Sequence, residues 1–386
     1  FTIVSVFEFT IRHLGGLLTA YTFTLDKLFL DKAVELAQRL LPAFNTQTGI
    51  PMSLINLKTG ACRMFVWSRK KCAILAEAGT LHMEFKYLSE LTGDPVYAEK
   101  VDKIRKVIYS MDRPKGMFYN YLDQTKAEWC ANVSGLSGLA DSFYEYLLKE
   151  WIRTGFRDQE ARELYDLGIQ ALYDNGVFKQ SDGGHLYLGT YADGKVSEVM
   201  DHLACFAGGM LALGARNNKD VWFQRAVEIT RTCNTSYEST VTNLGPDSFS
   251  FSPGVEALPV KVQHKAYMQR PETVESYFYL WRLTKEEKYR VAALKIVQAL
   301  EKYARTPGGY SGLKNVLSLD PQHDDVQQSY FLAETLKYLY LIFSEDSLLP
   351  LDRFVFNSEG HPFPIHNRVD LGSGIWPKTY IKVEPT

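Results

Sequence analysis

The chain has 386 residues and a formal net charge of -2, which disfavours nucleic acid or an anionic membrane as its main partner. Hydrophobic residues make up 46% and charged residues 23%, as in soluble globular proteins. No stretch of the sequence is long and apolar enough to span a bilayer. The chain opens with Phe1 directly in a helical pattern, so we expect a piece of a longer protein whose targeting signal lies elsewhere.

Apolar residues recur at helical spacing through most of the chain. The pattern predicts helices at 6–24, 27–41, 72–93, 95–110, 136–155, 158–174, 200–216, 219–236, 271–284, 286–303 and 325–345. Odd-numbered helices in this series are largely apolar, whereas even-numbered helices carry a charged face. Buried helices that alternate with half-exposed ones predict an inner and an outer ring.

Strand patterns are confined to the stretches GHLYLGTYADGKV and FVFNSEGHPFPI, and the second predicts a terminal hairpin. No break in composition marks a linker, and the helix pairs recur at about 60 to 70 residues. We therefore expect one all-α domain over residues 1–386, folded as a toroidal α/α barrel.

Six acidic residues lie among aromatic and aliphatic neighbours near the starts of the odd-numbered helices: Glu8, Glu77, Asp141, Glu272, Glu275 and Glu334. Helix capping explains any single acid at such a position, but it does not explain the repetition. We expect these acids and His202 to gather at one mouth of the barrel, with Arg12 and Arg270 as counter-charges. Paired carboxylates in a cavity indicate glycoside hydrolysis.

The sequence contains neither a CxxC pair nor a His-rich cluster that would indicate a zinc site. Cys205 and Cys233 fall on consecutive predicted helices, so a disulfide and two buried thiols are equally open on spacing alone. Two N-x-S/T triplets, at Asn132 and Asn234, weakly favour a secretory compartment.

Several long segments carry a family resemblance, in the order VFEFTIRHLGGLL, GTLHMEFKYLSELTGDPVYAEKV, DSFYEYLLKEW, MDHLACFAGGMLALGA, RPETVESYFYLWRLT, DDVQQSYFLAETLKYLYLIFS and FNSEGHPFPI. Together they resemble the class I α-1,2-mannosidases, glycoside hydrolase family 47. The resemblance implies an (αα)7 barrel plugged by a C-terminal β-hairpin, with bound calcium. It implies inverting removal of terminal α-1,2-linked mannose from high-mannose N-glycans by a monomer.

The same resemblance implies further helices and a membrane anchor upstream of Phe1, so we expect the chain to be N-terminally truncated. Without those helices we expect residues 1–386 alone to be inactive and poorly folded. The implied location is the lumenal side of the Golgi membrane, with the endoplasmic reticulum as the alternative.

Carried over position by position, the resemblance assigns Glu8, Asp141 and Glu272 as essential acids. An inverting hydrolase needs an acid for the leaving oxygen and a base for the attacking water, with carboxyl groups roughly 6.5–9.5 Å apart. We expect Glu272 to be the base and Glu8 the acid, acting directly or through a water. Asp141 is the rival proton donor.

The resemblance places a larger set in the substrate pocket: Arg12, Glu77, Leu139, His202, Glu275, Tyr330, Glu334 and Glu359. Tyr330 matches an aromatic residue that stacks on the mannose ring, and Cys205 and Cys233 match a family disulfide. Leu139 stands where endoplasmic-reticulum members carry an Arg that fixes one glycan branch. The apolar residue resembles the Golgi members, which remove several α-1,2 mannoses.

Two further positions depart from the family pattern. Ser358 replaces a Thr that gives calcium its hydroxyl and carbonyl oxygens, which are hard donors that Ser also offers. Because Ser is less restricted at χ1 than Thr, we expect weaker calcium binding. The segment WSRKKC replaces a Gly- and Ser-rich stretch, and its cations either alter glycan access or simply point to solvent.

Three alternative functions differ in class. A non-catalytic or weakly active glycan-binding relative, acting in glycoprotein degradation, would keep the pocket without turnover, but retention of the three acids disfavours it. A sugar epimerase on a similar toroid needs a catalytic His pair, and only His202 is suitably placed. A purely structural helical array has no reason to bury so many acids.

Overall fold

The computed structural model describes residues 3–370, so both ends of the expected 1–386 domain lie outside the described residues. Helices make up about half of this part of the chain. In chain order the α-helices are α1 (Val6–Glu8), α2 (Gly15–Thr24), α3 (Lys27–Leu40), α4 (Leu75–Gly79), α5 (His82–Thr92), α6 (Val96–Ser110), α7 (Asp141–Arg153), α8 (Gln159–Asp174), α9 (Phe206–Gly214), α10 (Val221–Glu238), α11 (Glu272–Thr284), α12 (Lys288–Ala299) and α13 (Lys337–Ile342).

Other helical geometries join or extend these helices. The π-helical segments are Phe9–Leu14, Leu300–Ala304 and Phe331–Leu336, and the 3-10 segments are Leu41–Phe44, Arg69–Lys71, Pro114–Gly116, His202–Cys205 and Val262–His264. Two of the π segments, Phe9–Leu14 and Phe331–Leu336, lie at the mouth of the barrel. Such departures from α geometry are frequent at functional sites.

The helices form two layers around a common axis. Along the inner layer, α2, α5, α7, α9, α11 and α13 each pack against the next. Each outer helix (α3, α6, α8, α10 and α12) packs against the inner helix that precedes it in the chain. The outer helix α3 illustrates the pattern, since it buries Ala33, Ala37 and Leu40 on one face. The predicted all-α toroid of alternating inner and outer helices is therefore confirmed.

Strands in the described residues are short and antiparallel. They are β1 (Ile3–Ser5), β2 (Leu54–Asn56), β3 (Cys62–Arg63), β4 (Ala73–Ile74), β5 (Tyr121–Leu122), β6 (Val133–Ser134), β7 (Phe178–Gln180), β8 (Leu186–Leu188), β9 (Tyr191–Ala192), β10 (Lys195–Val196), β11 (Val199–Asp201), β12 (Ser248–Ser252), β13 (Val255–Leu258), β14 (Arg305–Thr306), β15 (Gly309–Tyr310), β16 (Phe354–Phe356) and β17 (Pro362–Pro364). Sheets form in the orders β1-β2-β3, β10-β9-β6 and β11-β12-β13, with the remaining strands in pairs.

Some sequence expectations about these elements were wrong. Strands are more widespread than predicted, because segments of two to five residues carry too little period-2 signal. The helix expected over 72–93 is divided into β4, α4 and α5, with a break where Thr80 leaves helical geometry at φ -109° and ψ 55°. The helix expected over 136–155 begins only at Asp141, because Leu139 has a left-handed φ of 82°.

Two further helices also begin later than expected. Residues 200–216 open with the end of β11 and a 3-10 turn, and α9 starts only at Phe206. Helical geometry in 325–345 starts at Phe331, after Asp325 adopts a φ of 61°. In the first segment the apolar pattern runs past the true helix start because buried residues before the helix, such as Met200 and Ala204, also contribute to it.

The terminal hairpin β16–β17 forms as its sequence predicts, and it enters the barrel as the family resemblance implies. Phe354 pairs with Pro364 and Phe356 with Pro362, and the two strands pack on α7 and α2. Asn357 Nδ2 at the tip donates hydrogen bonds to the Ile11 carbonyl at 2.9 Å and to a Glu84 oxygen at 2.8 Å. The hairpin turn therefore lies inside the ring of inner helices.

The described residues contain two disulfides. One joins Cys205 and Cys233, the pair implied by the resemblance, and ties α10 to the start of α9. The other joins Cys72 and Cys130, next to the β4–β5 pair. Cys62 is a free thiol. Among residues 3–370 no helix has the length and apolar character needed to cross a membrane.

Candidate active site

One cavity of about 410 Å³ opens at the mouth of the barrel. It lies where inner helices begin, and helix N-termini favour negative charge. Of the residues singled out in the sequence, the following line it: Glu8, Arg12, Glu77, Leu139, Asp141, Glu272, Glu275, Tyr330, Glu334, Ser358 and Glu359. His202 lies just behind the wall and contacts Glu272. The structure thus brings the whole set together.

Glu272 is the first residue of α11 and is held by a histidine. Its Oε2 lies 2.6 Å from Nδ1 of His202. The other ring nitrogen of His202 lies 2.7 Å from the Tyr237 hydroxyl and 3.2 Å from that of Thr273. Burial alone would raise the pKa of Glu272, but the hydrogen bond and charge of His202, together with Arg270, lower it. Glu272 is therefore a buried carboxylate that stays ionised.

Arg12 organises the opposite side of the cavity. Its Nε donates to Glu8 at 2.6 Å, and its Nη1 donates to Glu359 at 2.8 Å. The guanidinium carbon lies 5.8 Å from the centre of the Tyr330 ring, whose hydroxyl donates to the Met268 carbonyl at 2.7 Å. The Arg12 guanidinium thus positions the carboxylates of Glu8 and Glu359 and the Tyr330 ring at the entrance of the cavity.

Asp141 is the first residue of α7 and has a different electrostatic environment from Glu272. Burial raises its pKa to about 7, opposed by the backbone N–H of Ser142 and reinforced by the charges of Glu145 and Glu272. The Ser142 N–H donates to Asp141 Oδ1 at 2.8 Å. Asp141 therefore keeps a proton into the neutral range, while Glu272 does not.

Four further acids of the cavity are also hard to ionise. Burial raises the pKa of Glu77 to about 7, although Ser53 donates a hydrogen bond of 2.8 Å to it. Burial likewise raises the pKa of Glu275 to about 8 and that of Glu334 well above its usual range. For Glu359 the pKa rises to about 8 despite the nearby charge of Arg12. Burial is therefore the main cause of the raised pKa values of these four acids.

Ser358 lies in the hairpin turn between Asn357 and Gly360 and faces the same cavity. Gly360 has a φ of 67°, and a Cβ there would lie 2.9 Å from the Ala333 carbonyl oxygen, so the turn requires glycine. Within residues 3–370 the hydroxyl and carbonyl oxygens of Ser358 make no hydrogen bond. No cluster of three His, Cys, Asp or Glu side chains suited to a metal occurs in this part of the chain.

The rim of the cavity carries aromatic side chains from the segment before Cys72. Phe65 and Trp67 line the opening, with ring centroids 4.9 Å apart and nearly parallel planes. The cations Arg69, Lys70 and Lys71 that follow are exposed and lie outside the lining. Lys70 and Lys71 both have left-handed φ values of 53° and 58°. The aromatic pair, rather than the cations, therefore faces an incoming ligand.

The family model described as Glycosyl hydrolase family 47 matches residues 2–365. The chain belongs to glycosyl hydrolase family 47. Two curated relatives in the family are similar along most of the chain. Mannosyl-oligosaccharide 1,2-alpha-mannosidase IB from Homo sapiens is 51% identical over 94% of this chain and 57% of its own length. Mannosyl-oligosaccharide alpha-1,2-mannosidase IA from Drosophila melanogaster is 50% identical over 94% of this chain and 55% of its own length.

The family 47 fold is also found in a solved structure. The alpha-1,2-mannosidase from Trichoderma reesei superposes with a TM-score of 0.86 at 28% identity, covering 94% of this chain and 82% of that chain. Our chain spans little more than half the length of the curated relatives it matches. The resemblance noted in the sequence is confirmed.

Sequence reasoning missed several groups of this family 47 site. Glu145 lines the cavity, and Lys149 one turn later pairs with it and lies 3.6 Å from Glu275. A glutamate and a lysine four residues apart, with only Tyr146, Leu147 and Leu148 between them, are a detectable signal. The rim residues Phe65 and Trp67 carried no such signal, because their loop has no periodic pattern.

Proposed function

We propose that this chain is an inverting exo-α-1,2-mannosidase that trims terminal α-1,2-linked mannose from high-mannose N-glycans. The observation that carries the proposal is Glu272, a buried and ionised carboxylate oriented by His202, in one cavity with Asp141 and Glu8. The names of both family relatives, which are mannosyl-oligosaccharide 1,2-mannosidases, support the same substrate class.

Glu272 takes the role of general base. Its lowered pKa leaves it ionised at the pH where a water must be deprotonated. His202 holds the carboxylate through Nδ1, while Tyr237 and Thr273 fix the imidazole from the other side. The water attacks the anomeric carbon from the face opposite to the leaving oxygen, which inverts the configuration at that carbon.

Glu8 is our candidate for the proton donor, and Asp141 is its rival. The Glu8 side chain is 42% exposed at the mouth, so it has the access that an entering glycosidic oxygen requires. Asp141 is enclosed, but its pKa of about 7 keeps a proton available, which is the property of a general acid. The two roles are separable by experiment, as set out in the Discussion.

Substrate positioning belongs to the remaining residues of the cavity. We assign sugar hydroxyls to Arg12, Glu77 and Glu359, and the apolar face of the ring to Tyr330. Leu139 offers no forked donor at the edge, so nothing there selects a single glycan branch. The Phe65–Trp67 pair provides an apolar surface for sugars outside the cavity.

Calcium fits the hairpin turn. Ser358 has two oxygens free of hydrogen bonds in the described chain, next to acids whose pKa values are raised by burial. Hard oxygen donors are what calcium prefers, and its positive charge would favour the ionised form of these acids. We propose that Ser358 holds the ion through its hydroxyl and carbonyl oxygens, with Glu77, Glu275, Glu334 and Glu359 around its water shell. When bound, calcium supplies positive charge that orients sugar oxygens.

We further propose that the chain works as one catalytic unit and as a monomer in the Golgi lumen, with the endoplasmic reticulum as the alternative. The cavity draws residues from Ser5 to Glu359 within a single chain, which supports the first two points. Two disulfides support an oxidising compartment.

The test is hydrolysis of a high-mannose glycan by the complete protein, with the released sugar followed by NMR. We expect β-mannose to appear before it mutarotates, because inversion at C1 gives that anomer first. A calcium chelator should abolish release, and added calcium should restore it. First appearance of α-mannose would contradict inversion, and glycan binding without release would favour a non-catalytic glycan-binding protein.

A further inference from the structure

A second cavity lies on the outside of the barrel, between α10, α11 and α12. Its volume is about 500 Å³, within the roughly 300–1,000 Å³ of typical ligand pockets. It shares no lining residue with the cavity at the mouth. Asn234, the asparagine of one glycosylation triplet, lies in its wall.

The environment of Asn234 fits a modified side chain. The residue begins the triplet Asn234-Thr235-Ser236, an acceptor for N-linked glycans. The Tyr277 hydroxyl donates to Asn234 Oδ1 at 2.8 Å, whereas Nδ2 makes no hydrogen bond within residues 3–370. Tyr277 thus holds the carboxamide at the cavity wall and leaves the atom that bears glycans unengaged.

The walls of this cavity suit a neutral sugar. Val291 and Ala292 offer apolar surface, and the Tyr289 hydroxyl is buried with no hydrogen-bond partner in the described part of the chain. Tyr289 as a whole is only 4% exposed. A pyranose ring presents both apolar C–H faces and hydroxyls, so its C–H face would cover Val291 and Ala292, and one of its hydroxyls would pair with the Tyr289 hydroxyl.

The cations at the rim already have hydrogen-bond or ion-pair partners. Lys295 donates to Glu238 at 2.8 Å, and Arg231 donates to the Gly184 carbonyl at 3.1 Å. Lys288 pairs with Glu286. An anionic ligand would have to compete for these cations, whereas a neutral saccharide leaves the pairs intact.

We propose that Asn234 carries an N-linked glycan whose first N-acetylglucosamine residues lie in this cavity, against Tyr289 and Val291. The donor is an oligosaccharide linked to a lipid pyrophosphate. The bond from Asn234 Nδ2 to sugar C1 forms as the C1–O bond to the pyrophosphate breaks. The amide loses one proton, and the lipid pyrophosphate leaves. Transfer precedes folding, because Ser236 of the triplet is fully buried in the native structure.

The other triplet provides a contrast within the same chain. Asn132 is exposed and lines neither cavity. A glycan attached there extends into solvent, so it has no protein surface to protect its linkage. Both asparagines therefore lie in acceptor triplets, but only a glycan on Asn234 would have its linkage protected by the protein surface.

The experiment uses the complete protein, secreted from a eukaryotic host. Peptide mass spectrometry gives the occupancy of Asn234 and Asn132, and a peptide N-glycanase then releases glycans from native and denatured protein. We expect Asn234 to be occupied and its glycan to be released about tenfold more slowly from the native protein, a ratio that burial of a few apolar groups produces. An unmodified Asn234, or equal release from both forms, would overturn the proposal.

Two variants sharpen the result. Tyr289→Phe removes only the buried hydroxyl, so occupancy should stay the same while native release becomes several-fold faster. Asn132→Gln is the control, and it should leave the protection at Asn234 unchanged. If Tyr289→Phe had no effect on release, the sugar would not lie against Tyr289 and the proposed placement would fail.

Discussion

Replacing Glu272 with glutamine tests the assigned base, because it keeps the volume of the side chain but removes its charge. The parent carboxylate is 12% exposed and lies 2.6 Å from His202 Nδ1. General-base catalysis typically contributes 10²- to 10⁴-fold, or about 2.7–5.4 kcal/mol at about 1.36 kcal/mol per tenfold. Burial raises the pKa of Asp141, Glu275 and Glu334 in the same cavity, so these acids are poor substitutes. We therefore expect kcat to fall by about 10⁴-fold.

The assay compares kcat and KM for an α-1,2-linked mannobiose in the complete protein and in Glu272→Gln. KM should change little, because the lost interaction acts mainly in the transition state. Glu35→Gln is the matched control, since Glu35 pairs with Lys32 and Arg39 on the exposed face of α3 and should leave kcat unchanged. A Glu272→Gln protein with an unaltered melting temperature and a kcat within about tenfold of the parent would place the base elsewhere.

Four further outcomes follow from the same cavity. A substrate whose leaving group needs no protonation, such as α-mannosyl fluoride, separates the two candidates for the proton donor. Of Glu8→Gln and Asp141→Asn, the variant that lacks the donor should hydrolyse the fluoride at nearly the parental rate but should fail to hydrolyse mannobiose. If both variants failed to hydrolyse the fluoride, neither residue would act simply as a proton donor. Leu139→Arg should add a forked donor at the pocket edge, so mass analysis of digested glycans should show intermediates that the parent does not accumulate. Ser358→Thr should restrict χ1 and lower, by several-fold, the calcium concentration that gives half-maximal activity; an unchanged or higher value would argue against Ser358 as a ligand. Burial raises the Asp141 pKa to about 7 in the folded protein from about 3.9 in the unfolded chain, so the folded state binds more protons between these pH values and its stability falls as pH rises. The melting temperature of Asp141→Asn minus that of the parent should therefore increase from pH 5 to pH 7.5. A difference in melting temperature that stayed constant with pH would refute the raised pKa.

The sequence predicted which residues share the cavity better than it predicted how they contact each other. Apolar periodicity places a residue on a helix face, so Glu272 and His202 were both expected at the inner mouth. It carries no information on side-chain rotamers or on the register between neighbouring elements, so the 2.6 Å contact between them appears only in the structure. The pairing of Glu145 with Lys149 is different, because two residues four positions apart on one helix are neighbours, and the sequence therefore held the signal for it.

Loops limited the prediction in a different way. Cys72 and Cys130 are 58 positions apart and meet because β4 pairs with β5, two strands of two residues each. Segments that short give no usable alternation, so neither the sheet nor the disulfide could be inferred. The left-handed φ of Leu139 was also hidden, since leucine rarely adopts that conformation.

The ion pair between Arg12 and Glu359 joins residues 347 positions apart. During translation, Arg12 leaves the ribosome long before its partner has been synthesised. The site therefore stays incomplete until the terminal hairpin has been made and has entered the ring. Contacts of such long sequence separation form slowly, so the appearance of activity should coincide with the last folding step rather than with helix formation.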